Sequence, residues 1–182
     1  MNNNNDIERL NRVNFRSSLE ALARPGQVQE IESLFDSKLQ AMASVLLYSE
    51  VSYYYKGEED FQMIQAICGA KTSTAAVADY LFFDRPDTDF LYHAKVGTAE
   101  QPELGATLIF KCEELEAEGT SVQLSGPGIE RSLTTTLPVD KTFLDQLGAK
   151  NDSFPMGVDI FFLSDSGKLF GLPRTTRIEV VS

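Results

Sequence analysis

Arginines and threonines near the C-terminus form the segment with the clearest chemical potential. Arg174, Thr175, Thr176 and Arg177 are consecutive, and they combine guanidinium cations with hydroxyls that both donate and accept hydrogen bonds. A planar guanidinium matches a phosphate or a carboxylate through two parallel hydrogen bonds. One interpretation is a small cationic surface that contacts a partner protein or a phosphate group.

An aspartate lies shortly before this segment, within an apolar run. Asp159 belongs to residues 158–163, and the turn residues 164–167 separate this run from residues 168–172, a pattern that predicts a β-hairpin. In a regular hairpin closed by residues 164 and 167, Asp159 lies opposite Leu172 and diagonally beside Arg174. Because a buried carboxylate is costly without a partner, we expect an ion pair between Asp159 and Arg174.

Two interpretations of these residues stay open. In a structural role, Asp159 and Arg174 set the register of the last strands, while Thr175 and Thr176 bond to the local backbone. In a functional role, they belong to a surface for a partner or a phosphate. The same choice applies to Gly126, Pro127 and Gly128, which form either a tight turn or a loop shaped for a partner.

Other catalytic patterns are weak. His93 is the single histidine and is expected on a short helix, partly exposed, so the chain offers at most one imidazole base. Cys68 and Cys112 match no metal-ligand spacing and are expected to be free thiols. The carboxylates of residues 113–118 are expected to be solvated. We therefore predict no catalytic, cofactor-binding or metal-ligating residue.

The charge balance limits the partners. Sixteen basic and 27 acidic residues give a formal net charge of -11, which repels phosphate backbones and anionic membranes. No apolar run is long enough to span a bilayer, and the N-terminal residues lack the features of a secretory signal. We expect a cytoplasmic protein that binds neither nucleic acid nor membranes.

Hydrophobic patterning predicts the elements that would position these residues. Phe15, Leu19 and Leu22 recur at helical spacing and predict a buried helix face that ends before Pro25. Residues 1–6 are expected to form a disordered tail. Ser37 and Gln40 resemble a capping box. Further helices are expected at residues 61–68, where Gly69 ends the helix, and at residues 88–95 and 140–147.

The strands point to an α/β fold. Strands expected at residues 51–55 and 78–83 alternate with helices, which favours a mixed or parallel sheet. Residues 107–112, 120–124 and 131–135 are expected to form antiparallel strands, followed by strands at 158–163, 168–172 and 178–181. The prediction is a single domain over residues 7–182, with a mixed sheet flanked by helices.

Several segments resemble, in order, the blocks of the PhnH family, a component of the bacterial phosphonate carbon-phosphorus lyase system. The most distinctive are Phe154-Pro155-Met156-Gly157-Val158-Asp159 and Pro173-Arg174-Thr175-Thr176. Earlier matching segments are Phe15-Arg16, Ala23-Arg24-Pro25-Gly26, Gly105-Ala106-Thr107-Leu108-Ile109 and Leu124-Ser125-Gly126-Pro127-Gly128-Ile129.

The resemblance implies a fold similar to a reduced pyridoxal-phosphate-dependent transferase that lacks the cofactor. It also implies a core complex with the G, I and J subunits of that system, which replaces adenine on ATP with a phosphonate to give ribose 1-phosphonate 5-triphosphate. The expected role is structural or accessory, without catalysis by the isolated chain. Lys71 is the least implausible Schiff-base residue.

Two alternatives remain. The first is a stand-alone transferase that binds phosphate through Arg174 and Arg177 and uses Asp159 or Asp165 as a base. The second is a homodimeric binding module without a role in phosphonate use. A homodimer is compatible with either the complex or the binding module.

Overall fold

The computed structural model describes residues 3–33, 37–115 and 118–181. Its α-helices are α1 (Asn3–Ala23), α2 (Lys38–Leu46), α3 (Gln62–Cys68), α4 (Thr88–His93) and α5 (Lys141–Asn151), with a 3₁₀ helix at Pro102–Leu104. Its strands are β1 (Gln29–Glu30), β2 (Ser52–Lys56), β3 (Lys71–Thr72), β4 (Tyr80–Phe83), β5 (Thr107–Cys112), β6 (Thr120–Ser125), β7 (Leu133–Leu137), β8 (Asp159–Ser164), β9 (Lys168–Leu172) and β10 (Arg177–Val180).

The strands form one large mixed sheet and one small antiparallel sheet. The large sheet has the order β1-β9-β8-β5-β4-β2-β3, and the small one has the order β10-β6-β7. Strands β3, β2, β4, β5 and β8 are parallel, whereas β9 and β1 are antiparallel to their neighbours. The predicted α/β architecture with a mixed sheet flanked by helices is confirmed.

Strand β5 corrects one prediction, because it is not part of the antiparallel group. It lies between β4 and β8 and is parallel to both. Its apolar residues are buried on both faces: Leu108 and Phe110 join one core cluster, and Ile109 joins the other. A continuous apolar run is typical of a central parallel strand. The antiparallel prediction holds only for β6 and β7.

The outward face of α1 is the second correction. Phe15 and Leu19 were expected in the core but are 51% and 53% exposed, whereas Asn14 and Ser18 are buried. The Asn14 side chain bonds to both backbone polar groups of Glu32, at 2.7 and 3.0 Å. These bonds satisfy its amide, and therefore the more polar face can pack inward.

The start of α1 also differs from the predicted tail. The backbone is helical from Asn3, so part of the segment 1–6 that was expected to be disordered continues the helix. No proline or glycine interrupts residues 3–23, and therefore nothing in the backbone chemistry ends the helix earlier.

The hairpin of β8 and β9 is shifted by one residue from the predicted register. Ile160, not Asp159, lies opposite Leu172. The cause is Gly167, whose φ of 93° places it in the left-handed region. A glycine in this conformation follows a tight turn as the extra residue of a bulge, which lengthens the loop from two residues to three.

The helix ends follow the predicted signals in part. The Ser37 hydroxyl caps α2 by accepting from the Leu39 and Gln40 amides. The Gln40 side chain donates to the Asp60 carbonyl, so the reciprocal half of the capping box is missing. Helix α3 ends at Gly69, with a φ of 70°. Within the described ranges, no helix is long and apolar enough to cross a membrane.

Candidate binding cleft

A cleft of about 810 Å³ lies where the small sheet, the end of α5 and the turn between β9 and β10 meet. It brings together six of the eight residues singled out from the sequence as possible contacts, although they come from two distant parts of the chain. Its lining residues are Ser125, Gly126, Pro127, Leu147, Gly148, Asn151, Asp152, Phe154, Arg174, Thr175, Thr176, Arg177 and Ile178.

The two distant segments, residues 126–127 and 174–177, meet because β10 pairs with β6, which places Arg177 opposite Ser125. Gly126 then passes close to the Thr175 backbone: an added side-chain carbon would lie 2.8 Å from the Thr175 carbonyl oxygen. Only glycine fits here, because its φ is 131° as well.

Arg174 is part of the cleft lining and is held by Asp159. Its backbone N–H donates to Asp159 Oδ1 at 2.8 Å, Nε donates to the same oxygen at 3.2 Å, and Nη2 donates to Oδ2 at 2.6 Å. The two side chains are only 13% and 19% exposed. The predicted ion pair is confirmed despite the register shift, because Arg174 lies beyond the end of β9, where its side chain can fold back.

Arg174 also ties a third segment to this pair. Its Nη1 donates to the Pro102 carbonyl at 2.6 Å, which joins the 3₁₀ helix to the ends of β8 and β9. A side chain on Gly105 would collide with the Gly157 carbonyl and approach Arg174 Nη1. These contacts support the structural interpretation of Arg174 and Asp159, with the guanidinium charge offset by the carboxylate.

Arg177 differs from Arg174, because its cation is exposed. Among the residues that the structure describes, it makes no ion pair. The carboxylate of Asp152 also lines the cleft. Because its guanidinium is exposed and makes no ion pair among the described residues, Arg177 is the cleft residue best suited to pair with an incoming anion.

Thr176 departs from the local side-chain bonding that the structural interpretation expects. The turn is closed by backbone atoms, with the Thr176 N–H donating to the Pro173 carbonyl at 2.9 Å. The Thr176 side chain is buried, and its hydroxyl has no hydrogen-bond partner in the described part of the chain. A buried hydroxyl without a partner costs free energy, so this wall of the cleft carries an unused polar group.

The segments around the cleft are those on which the family resemblance rests. Gly105 and Gly157 pack beside Arg174, and Gly128 packs against Ala23 and Pro25. The family model for the bacterial phosphonate metabolism protein PhnH matches residues 5–179. The chain belongs to the PhnH family. Membership in this family assigns the chain to bacterial phosphonate metabolism. No match was found among the curated proteins.

Two of the eight predicted contact residues lie outside the lining of the cleft in this PhnH-family protein. Asp159 lies behind Arg174, and Gly128 has a φ of 84° and packs against the Ala23 carbonyl. Asp165, the second candidate base, lies beyond the other end of β8 and pairs with Lys111 at 3.3 Å. Asp159 is the first residue of the six-residue strand β8, and Asp165 follows its last residue. The two carboxylates are therefore roughly 20 Å apart along the strand, at about 3.3 Å per residue.

The other candidate groups are absent from the lining of the cleft. His93 is exposed at the end of α4. Burial, together with smaller contributions from Asp165 and Glu114, raises the pKa of the Cys112 thiol to about 12, and so it stays protonated at neutral pH. Cys68 packs against the opposite core cluster from Cys112.

Neither the cleft lining nor Lys71 fits a pyridoxal phosphate site. Lys71 is exposed on β3, the strand at one edge of the large sheet. The lining of the cleft contains no lysine among the described residues. A Schiff base needs a lysine amine at the carbonyl carbon of the cofactor, so we derive no chemistry through this group.

Sequence reasoning did not single out Asn151 and Phe154 as site residues. Asn151 accepts from the Val158 N–H at 2.8 Å and donates to the Val158 carbonyl at 3.1 Å, which fastens the end of α5 to the start of β8. Phe154 is 68% exposed at the cleft. The position of Phe154 among turn residues could have indicated a contact site, since large exposed apolar groups often mark such sites.

The partnerless hydroxyl of Thr176 predicts that its removal stabilises the protein. Thr176→Val keeps the shape of the side chain and removes the buried hydroxyl, so we expect the free energy of unfolding to rise by about 1 kcal/mol. Urea unfolding monitored by circular dichroism measures it. A loss of stability would mean that the hydroxyl has a partner in the folded protein.

Proposed function

We propose that this chain is an accessory subunit of the carbon-phosphorus lyase core assembly and acts with the G, I and J subunits. The assembly transfers a phosphonate onto the ribose of ATP and releases adenine, giving ribose 1-phosphonate 5-triphosphate. Family membership in phosphonate metabolism supports this proposal. Because the assembly uses ATP, we place the protein in the cytoplasm. A fold similar to a reduced pyridoxal-phosphate-dependent transferase belongs to the same proposal.

The unpaired guanidinium of Arg177 is the observation that carries the site in this proposal. Within the described residues, the cleft presents one exposed cation beside Thr175 and Thr176, with the exposed carboxylate of Asp152 also in its lining. The formal charge of the chain is -11. A local cation on an acidic protein favours an anionic partner at that place. We propose that the cleft contacts an acidic group, either a phosphate of the substrate or a carboxylate of a sister subunit.

An accessory role agrees with the state of the two candidate bases. Both oxygens of Asp159 accept hydrogen bonds from Arg174, so the carboxylate is committed to a strong acceptor role and is poorly placed to remove a proton. Asp165 is at the opposite end of β8. Neither carboxylate can act on a phosphate bound at Arg177, which weighs against a stand-alone transferase.

Co-expression with the G, I and J subunits tests the proposal. Native mass spectrometry is expected to show this chain at a fixed stoichiometry in the complex, and the complex is expected to convert ATP and a phosphonate into products. The isolated chain is expected to show no turnover in the same assay. The accessory role would be refuted if the isolated chain showed full turnover, or if an active complex formed without this chain.

The cleft itself is tested with Arg177→Gln, which removes the cation and keeps a polar side chain. We expect turnover by the complex to fall about tenfold, as for the loss of one charge-assisted hydrogen bond. Arg85→Gln is the matched control, since Arg85 is also exposed and without an ion pair among the described residues.

Arg85 follows the carboxyl end of β4, whereas the cleft lies near the amino end of β8. Because β4 and β8 run parallel, these are opposite edges of the large sheet. If Arg177→Gln and Arg85→Gln behave alike, the cleft has no special role. If turnover falls while the complex still assembles, the cleft contacts a phosphate. If assembly and turnover fall together, it contacts a sister subunit.

A further inference from the structure

The outer face of α1 carries an apolar pair that nothing in the described chain covers. Phe15 and Leu19 are one helical turn apart and are 51% and 53% exposed. Together they form the outer stripe of α1. Side chains of this size at i and i+4 make one continuous apolar surface on a helix. Exposed apolar side chains alone need no explanation, and α3 carries a similar exposed pair, Met63 and Ile67. The stripe on α1 becomes a candidate contact surface through the charges beside it.

The helix is placed so that this stripe cannot turn inward. Its other face is fastened to the domain by the two Asn14 bonds to Glu32. Near its end, the Ala21 backbone lies directly against β9, where an added carbon on Gly171 would be 2.5 Å from the Ala21 carbonyl. The outer stripe is therefore held in one orientation before any partner arrives, which lowers the entropy lost on binding.

The charges beside the stripe indicate the chemistry of its occupant. Arg12 and Arg16 lie on one side of it, and neither forms an ion pair among the side chains that the structure describes, whereas Arg9 and Arg24 pair with Glu32 and Glu20. Two free cations beside an apolar pair, on a protein of charge -11, fit a partner surface of apolar side chains next to carboxylates.

A second copy of this chain fits the stripe less well. In a symmetric dimer the same patch meets itself, which places the Arg12 and Arg16 cations of both copies in one interface. Like charges in one interface cost free energy. A different protein with acidic residues next to its apolar contacts avoids this repulsion.

We propose that the outer stripe of α1, with Arg12 and Arg16, is the docking surface for an acidic, apolar face of a sister subunit. This inference rests on the proposed membership of the chain in the carbon-phosphorus lyase assembly. It adds a second contact surface on α1, formed by other residues than those of the cleft.

The test uses the full chain co-expressed with the G, I and J subunits. Phe15→Ala with Leu19→Ala removes the apolar pair without adding charge. Met63→Ala with Ile67→Ala is the matched control, since these residues are one turn apart on α3 and 49% and 58% exposed. Circular dichroism and thermal unfolding of each isolated variant verify that it is folded.

We expect the α1 double variant to weaken assembly roughly tenfold in Kd, as is typical when central contact residues are truncated. The α3 control should assemble like the unmodified chain. Arg12→Glu with Arg16→Glu should also weaken assembly, and the binding of the unmodified chain should weaken as salt is added, because screening reduces attraction between opposite charges.

The possible outcomes separate this inference from the proposed function. If the unmodified chain does not join the complex, the proposed function fails and the inference falls with it. If the unmodified chain and the α1 variant assemble equally well, only the inference is overturned. The inference is also overturned if the isolated unmodified chain is a homodimer, the isolated α1 variant is a monomer, and this variant still enters the complex normally.

Discussion

Arg174→Ala is expected to lower the free energy of unfolding by about 3 kcal/mol, because it leaves the Asp159 carboxylate largely buried without its cation. The substitution also removes the donor to the Pro102 carbonyl. Both partners keep some exposure, 13% for Arg174 and 19% for Asp159. For that reason the value lies at the lower end of the losses seen when one member of a buried pair is removed. Urea unfolding measures it.

A double-mutant cycle distinguishes the ion pair from other losses. The free energies of unfolding of Asp159→Asn, Arg174→Ala and the double variant together give the coupling energy between the two side chains. We expect this coupling energy to exceed about 1 kcal/mol. The control is Lys141→Ala, whose ion pair with Asp145 is 66% and 63% exposed and should contribute less than about 0.5 kcal/mol. Equal effects of Arg174→Ala and Lys141→Ala would contradict a structural role for Arg174.

Gly171→Ala is expected to lower the free energy of unfolding by about 2 kcal/mol, because α1 packs its backbone directly on β9 at this point. The added carbon would lie 2.5 Å from two atoms of the Ala21 peptide group and 2.8 Å from the Leu22 nitrogen. These are backbone atoms, so the helix or the strand must move. Amide hydrogen exchange should show lower protection in α1.

Gly148→Ala is the matched control for this prediction. Gly148 lies within α5, and an added carbon there meets nothing within 4 Å. Since alanine is the better helix former, we expect a gain of roughly 0.5–1 kcal/mol. If Gly171→Ala were as harmless as Gly148→Ala, the close approach of α1 to β9 would be wrong.

Local chemistry made several features of this protein predictable. The alternation of strands and helices, the Ser37 cap and the end of α3 at Gly69 depend on neighbouring residues, and each was expected. The pairing of Asp159 with Arg174 followed from the cost of burying a lone carboxylate. These predictions succeeded because their causes act over a few residues, or across a single hairpin.

The α/β class, most elements, the Asp159–Arg174 pair and the PhnH family could thus be predicted from the order of the residues alone. The buried face of α1 could not, because Asn14 finds its partners at Glu32 and not within the helix. Nor could the shared cleft of residues 125–127 and 174–177, which arises from the pairing of β6 with β10. Contacts between distant segments depend on packing and strand order, and no local pattern of residues encodes them.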